Sequence, residues 1–324
     1  MIDRQMALEL GAYSDKNTEG SADWDLFIRF LAAGRAAVHI PEVVYGWRMH
    51  AESTADDALS KPYIHTSQRA VLERYLNLRG IAEDYRVEYS PLLNGTADWW
   101  IERRHTRPWP ALLVILTNRP AGGELVNPPN YPDLPCVKLP ALAGLSHLKE
   151  VLCNRPATPA RGLGDFQTVL TEHRLAAGLG SEELVCLVSE DLQIDRQDWL
   201  WDAISLLEKH PDAVMVGGRI RNSRDEIVSA GLVLGFEGGA GCPDAGRAAI
   251  DPGYFTQMFK QRSVSAVSSQ FAVIRSSFLR ELPADVSIPF LGAWAGARAR
   301  RLGRRIIFSP FLSAVSDIDW QALV

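Results

Sequence analysis

Cysteine is scarce in this sequence: Cys136, Cys153, Cys186 and Cys242 are the four among 324 residues. No two stand at the close spacing of a zinc knuckle or a redox pair, so no such motif organises the chain. Three lie beside strand-like apolar runs, which points to buried reduced thiols and suits a cytosolic protein. Basic charge is not in surplus either. Lys and Arg number 34 against 39 Asp and Glu, a net of −5. A nucleic-acid binder carries the opposite balance, so nucleic acid is not an expected partner. The local cluster Arg298, Arg300, Arg301, Arg304 and Arg305 reads as a solvated helix face. No apolar stretch reaches the length of a membrane span. The opening MIDRQMALELGAY lacks the charged head and apolar block of a signal peptide. It also lacks the strand and glycine-rich turn with which most α/β enzymes begin, so the chain is expected to start within a fold. Gly238-Gly239-Ala240-Gly241 has no Lys-Ser/Thr after it and reads as a turn rather than a phosphate loop.

What is present is a large apolar fraction, 47% of residues, enough for a sizeable core in one large domain or two ordinary ones. Three regions follow from the patterning. In the first, residues 1–88, Asp25 to Ala33 reads as an amphipathic helix stopped by Gly34. Leu26, Phe27, Phe30 and Leu31 share its apolar face and Arg29 falls off it. Ala37 to Pro41 and Val43 to Arg48 read as strands, and Pro62 to Arg79 as a helix ended by Gly80. Residues 89–110 read as a linker, with an Asn94-Gly95 turn, Trp99-Trp100 and a basic patch from Arg103 to Arg107. The third region, 111–324, opens on the strand Ala111 to Leu116, followed by a loop from Asn118 to Asp133. Further strands are expected at Leu184–Val188, Ala213–Val216, Ile227–Leu234, Ala266–Ile274 and Ile306–Phe308. Helices are expected at Gly164–Ala177, Asp198–Lys209 and Ala293–Leu302. Strands alternating with helices, with apolar runs buried on both sides, indicate an α/β layer fold.

Several motifs, in order, resemble the second catalytic domain of bacterial family 2 glycosyltransferases that build surface polysaccharides. They are Asp198-Trp199-Leu200 through His210-Pro211, then Val216-Gly217-Gly218, then Ile227 to Gly235. Pro252-Gly253-Tyr254-Phe255, Val264-Ser265-Ala266-Val267 and Ile274-Arg275 follow as acceptor-side segments. The first region resembles the closing part of the preceding domain in the same enzymes, through Glu19 to Leu26, His39-Ile40-Pro41, Tyr45-x-Trp47-Arg48, Ser53-Thr54-Ala55 and Lys61-Pro62-Tyr63. The resemblance implies a GT-A-like mixed sheet flanked by helices, preceded by a partial GT-A tail. It also implies transfer of a sugar from a nucleotide-sugar donor to a glycan or lipid-linked glycan acceptor, in the cytoplasm or peripherally at the inner membrane. A non-catalytic nucleotide-sugar- or glycan-binding module, or a scaffold for a partner transferase, is the alternative.

Such a transfer needs a divalent metal on the diphosphate leaving group, a general base for the acceptor hydroxyl, and a pocket that aligns the two. By resemblance the metal position is Val188-Ser189-Glu190-Asp191, where Glu190 and Asp191 would hold Mg²⁺ or Mn²⁺ and Ser189 replaces the usual Asn or Asp. An acidic turn capping the next segment is the plainer alternative. The family's base position falls on Gly292 and its second Asp on Trp294, neither of which takes a proton. The late His of the family, near Ser316 and Asp317, is missing. In the first region Asp23 matches the base position and Asp25 lies on the helix N-terminus, where carboxylates are favoured; simple capping is the competing reading. Trp47 and Arg48 would line an acceptor or diphosphate pocket, or be an edge aromatic and a solvated Arg. His50 reads as a surface residue.

Overall fold

The computed structural model describes residues 2–35, 37–38, 40, 42–46, 63–93, 98–105, 184–189, 191–196, 198–283, 286 and 288–318, and the backbone of 111–117 and 136–140. The chain divides into two compact units, Met1–Thr106 and Arg107–Val324.

The first unit holds helices α1 (Arg4–Glu9), α2 (Ala22–Ala32) and α3 (Tyr63–Leu78) and a hairpin of β1 (Tyr85–Tyr89) and β2 (Trp99–Arg103). Its apolar core is Leu72, Leu76, Tyr85 and Val87, with Trp24 and Trp99 packed alongside. The expected linker is therefore corrected in part, because residues 99–103 belong to the hairpin. The physical reason is a cross-strand aromatic pair: Tyr89 stacks on Trp99 with ring centroids 4.6 Å apart, and Trp99 Nε1 donates to Gln68 at 2.7 Å.

Helix α2 buries a different face from the one its apolar residues suggest. Leu26 and Ile28 are buried, whereas Phe27 and Leu31 are 50% and 52% exposed. Arg29 turns inward, because its guanidinium is consumed by Asp25 and by the carbonyls of Leu10 and Ala12. Hydrogen bonds to charge compensate its burial, so a cation displaces Phe27 from the packed stripe. The strand expectations at 37–41 and 43–48 are not met in the described residues. Val38 and Val43 are exposed there, and no strand among the described residues pairs with either.

The second unit is a mixed sheet. Its strands are β3 (Ala111–Thr117), β4 (Cys136–Pro140), β5 (Leu184–Ser189), β6 (Gln193–Ile194), β7 (Ala213–Arg221), β8 (Ile227–Ser229), β9 (Val233–Leu234), β10 (Ala240–Gly241), β11 (Arg262–Val264), β12 (Phe271–Arg275) and β13 (Arg305–Val315). Among the described residues the sheet order is β11-β13-β7-β12-β5-β3-β4, with β6 on β13 and β8 on β7, while β9 and β10 pair separately. β3 runs parallel to β4 and β5; β12 is antiparallel to both β5 and β7; β13 is parallel to β7. The carboxyl ends of β3, β5, β7 and β13 thus share one edge, together with the start of β12. The strand Ile227–Leu234 expected from sequence is interrupted at Gly231, whose φ of +88° breaks the extended run.

Alternation along β5 splits the core into two layers. Val185 and Leu187 face helix α6 (Leu291–Arg301) and the short helix α5 (Ser276–Leu279). Leu184, Cys186 and Val188 face helix α4 (Trp199–Lys209). Cys186 and Cys242 are buried free thiols, and burial pushes both upward from the ordinary thiol range. No helix among the described residues is long and apolar enough to cross a membrane.

Candidate functional site

Chain order and sheet order disagree at β3. The chain runs β3, β4, β5, but β4 lies on one side of β3 and β5 on the other. In open α/β sheets such a reversal opens a crevice outside the carboxyl ends of the two inner strands, where ligands bind. Here the carboxyl end of β5 is Ser189, followed by the turn that carries Asp191.

Asp191 is half-buried and its carboxylate is held by three donors from three parts of the fold. The Ser189 hydroxyl donates to Oδ1 and the Ser316 hydroxyl, just past β13, to Oδ2. Gln270 Nε2, from the residue before β12, lies 3.4 Å from Oδ2 and 2.9 Å from the Ile318 carbonyl oxygen. Gln270 is itself locked by its own backbone, since its carbonyl accepts from Ser189 N–H at 2.9 Å. Ser189, Gln270 and Ser316 are all buried, so their two hydroxyls and the Gln270 amide nitrogen require partners and find them in this cluster.

One carboxylate and two rotatable hydroxyl oxygens stand together, and Mg²⁺ is commonly held by one or two carboxylates with substrate phosphates completing its shell. No group of three or more His, Cys, Asp or Glu is placed to hold a metal ion among the described residues. Glu190, Trp47, Arg48 and His50 lie outside the described residues.

The position matching the transferase base is closed by packing. A Cβ on Gly292 would stand 1.8 Å from the Val267 carbonyl oxygen, and one on Gly296 2.2 Å from that of Ser265. Two glycines one turn apart let α6 lie directly on the backbone of residues 265–267. No side chain fits at 292. Trp294 is 50% exposed. Asp317 is turned to Ser223, whose N–H it accepts at 2.8 Å, and this bond holds its carboxyl below the usual range.

In the first unit Asp23 is exposed and Asp25 is not. Asp23 accepts from the Trp24 N–H at 2.8 Å within the first turn of α2. Asp25 is 1% exposed and takes Arg29 Nε at 3.0 Å and Arg74 Nη1 at 2.7 Å. Arg74 also reaches Asp15, so one carboxylate ties α2, α3 and the turn before α2 together. That geometry is an internal ion-pair hub; neither a helix cap nor an open binding group describes it.

Sequence reasoning passed over Gln270. The available signal is Ser268-Ser269-Gln270, three polar residues inside an otherwise apolar run.

No family model matches the chain. The chain is 26% identical over 332 aligned residues, 96% of its length, to "Uncharacterized protein y4gI" of Sinorhizobium fredii. It spans 35% of the length of that relative. Among solved structures it is similar to "Crystal Structure of A197 from STIV", at 14% identity and a TM-score of 0.36, over 65% of this chain and 87% of that one.

Proposed function

We propose that this chain is a family 2 glycosyltransferase of GT-A type, which moves a sugar from a nucleotide-sugar donor to a cell-surface glycan or lipid-linked glycan acceptor. The observation that carries the reading is Asp191. It sits on the turn after β5, at the strand-order reversal, and accepts from Ser316 on the far side of the sheet. Two segments that the resemblance singles out separately, residues 189–191 and the neighbourhood of Ser316, are joined by that bond, which supports the reading. Asp191 and Glu190 would hold Mg²⁺ or Mn²⁺, which neutralises charge on a diphosphate leaving group. Ser189 and Gln270 orient the Asp191 carboxylate; α4 and α6 cover the sheet that presents it. Asp23 stands at the family's base position in the first unit. Cytoplasmic work at the inner-membrane surface is part of the same reading.

A second reading has its own observation. Gly292 is pinned on the Val267 carbonyl, so the second unit carries no base where the family has one. That favours a module that binds nucleotide-sugar or glycan without turnover, or that serves a partner transferase.

The test is titration of UDP-, dTDP- and GDP-sugars with and without Mn²⁺, following thermal stability and donor consumption. Both readings expect a metal-dependent rise in Tm, because a ligand of the native state stabilises it. Donor hydrolysis or transfer that vanishes in Glu190→Ala and Asp191→Ala supports turnover; binding without consumption supports the second reading. No Tm change with any donor would sink the transferase reading and the nucleotide-sugar-binding form of the second.

A further inference from the structure

Helix α6 and the turn after it carry one sign of charge. Residues 291–305 hold five arginines, Arg298, Arg300, Arg301, Arg304 and Arg305, and no acid, in a chain whose net charge is −5. A helix face that meets only water usually mixes both signs, because neighbouring opposite charges support it. Carboxylates from elsewhere reach part of the cluster. Glu281 pairs with Arg304 at 2.9 Å and lies 3.7 Å from Arg298, and Asp212 pairs with Arg305 at 2.9 Å. Arg300 and Arg301 are exposed and pair with no carboxylate among the described residues. The helix dipole favours cations in the last turn, which accounts in part for Arg298 to Arg301. It gives no reason for an exposed tryptophan two turns earlier on the same side.

The packing of α6 fixes which side faces out. Gly292 and Gly296 lie on the backbone of residues 265–267, and Ala295 and Ala299 are buried in the core beside Ile306. At about 3.6 residues per turn, the opposite side of the helix presents Trp294, Ala297 and Arg301, with Arg298 and Arg300 on its flanks. Trp294 is 50% exposed, and Leu302, just past the helix, is 39% exposed. Ala297 is small and stands between Trp294 and Arg301, so the stripe is low and a flat surface can approach it. One outward face therefore combines unpaired guanidiniums with an indole and a leucine.

We infer that the outer face of α6 docks on an anionic phospholipid surface, its arginines on the lipid phosphates and Trp294 and Leu302 in the headgroup layer. The charge is complementary: each arginine near an acidic bilayer adds to the attraction, and guanidiniums match phosphate oxygens. An indole sits well at headgroup depth because one part of it is apolar and its N–H is polar. Tryptophan and leucine set among basic side chains are the composition of helices that lie in a membrane interface. A nucleic acid would engage the arginines and leave Leu302 in water. The inference deepens the inner-membrane part of the proposed function and rests on that reading only for which membrane is met.

The experiment is co-sedimentation of the full chain with vesicles of phosphatidylcholine alone and of phosphatidylcholine mixed with phosphatidylglycerol. The proteins are wild type, the double variant Arg300→Gln/Arg301→Gln, Trp294→Ala and Trp294→Phe. Wild type is expected to pellet with the mixed vesicles and not with phosphatidylcholine, and added salt should weaken binding. The double variant should bind roughly tenfold more weakly or worse. Trp294→Ala should lose binding severalfold and Trp294→Phe should restore much of it; the wild-type Tm is expected in the double variant, whose side chains project into solvent. The inference is overturned if wild type stays in solution with acidic vesicles, or if the double variant pellets as wild type does. It is also overturned if Trp294→Ala binds undiminished, since the arginines would then be a general polyanion site. Donor assays separate the two ideas. Vesicle binding with no response to any nucleotide-sugar leaves the docking face standing and sinks the transferase reading. Donor consumption in solution by a protein that ignores acidic vesicles does the reverse.

Discussion

The α-carbon of Gly292 faces the carbonyl oxygen of Val267 so closely that a methyl group there would lie 1.8 Å from it. Real non-bonded contacts of that kind do not occur, so α6 can adopt this seat only with glycine. The same contact keeps a carboxylate from the position where the resemblance expects a base.

Gly292→Ala is therefore expected to lower stability by about 1–3 kcal/mol, the usual range for overpacking. For a unit of this size that is a Tm loss of roughly 2–4 °C per kcal/mol. Gly292→Asp should lose more, since it also buries a charge, and should not raise donor turnover. Thermal unfolding and a donor-consumption assay on both variants check this; a Gly292→Asp protein with wild-type Tm would contradict the contact.

At Asp191 two substitutions separate architecture from ligand binding. Asp191→Ala strips Ser189, Ser316 and Gln270 of their shared acceptor and is expected to cost about 1–3 kcal/mol. Asp191→Asn keeps an oxygen for the hydroxyls and is expected to cost less. Both should abolish Mn²⁺-dependent protection by a nucleotide-sugar. Equal protection in Asp191→Asn and wild type would show that the charge is not used.

Asp202 makes stability depend on pH in an unusual direction. Its carboxyl is buried in α4, accepts from Ser309 at 2.5 Å and from Gln261 at 2.8 Å, and burial pushes it up to about 6. In the unfolded chain it titrates near ~3.9. Between those values the folded state binds the extra proton, so this contribution is full below about pH 4 and is lost as pH rises through about 6. The stability of wild type relative to Asp202→Asn should fall across that window, by at most about 3 kcal/mol. Urea unfolding of both proteins at several pH values measures the difference; a flat difference would refute it.

The Asp25 hub predicts a large local effect. Asp25→Ala leaves the Arg29 and Arg74 guanidiniums without their common carboxylate and should destabilise the first unit by on the order of 3 kcal/mol. Limited proteolysis of the full chain should then cut first within residues 1–106. Uniform protection would mean that Arg74 satisfies itself through Asp15 alone.

Much of the fold was legible where a segment is apolar and long. β3, β5, α3 and α4 lie close to where periodicity and stop signals put them, since burial on both sides or on one stripe leaves a strong pattern. Pairing was less legible. β2 read as linker because its content is aromatic and charged, and only its partner β1 makes it a strand. Of the candidate site residues, Asp191 is recognisable as an acidic turn after an apolar strand. Its three donors come from positions up to 125 residues away, and no local pattern connects them.

The order of side chains along the chain by itself determined that an α/β layer fold would form, where its main strands and helices begin and stop, and that the net charge would be −5. These follow from local periodicity, turn-forming residues and simple counting. The tertiary structure alone decided that Arg29 rather than Phe27 turns inward, that Gly292 is a contact instead of a vacancy, and that Ser189, Gln270 and Ser316 converge on Asp191. Those outcomes depend on which distant backbone and polar groups come within hydrogen-bonding or van der Waals range, and that is settled only when the sheet order closes.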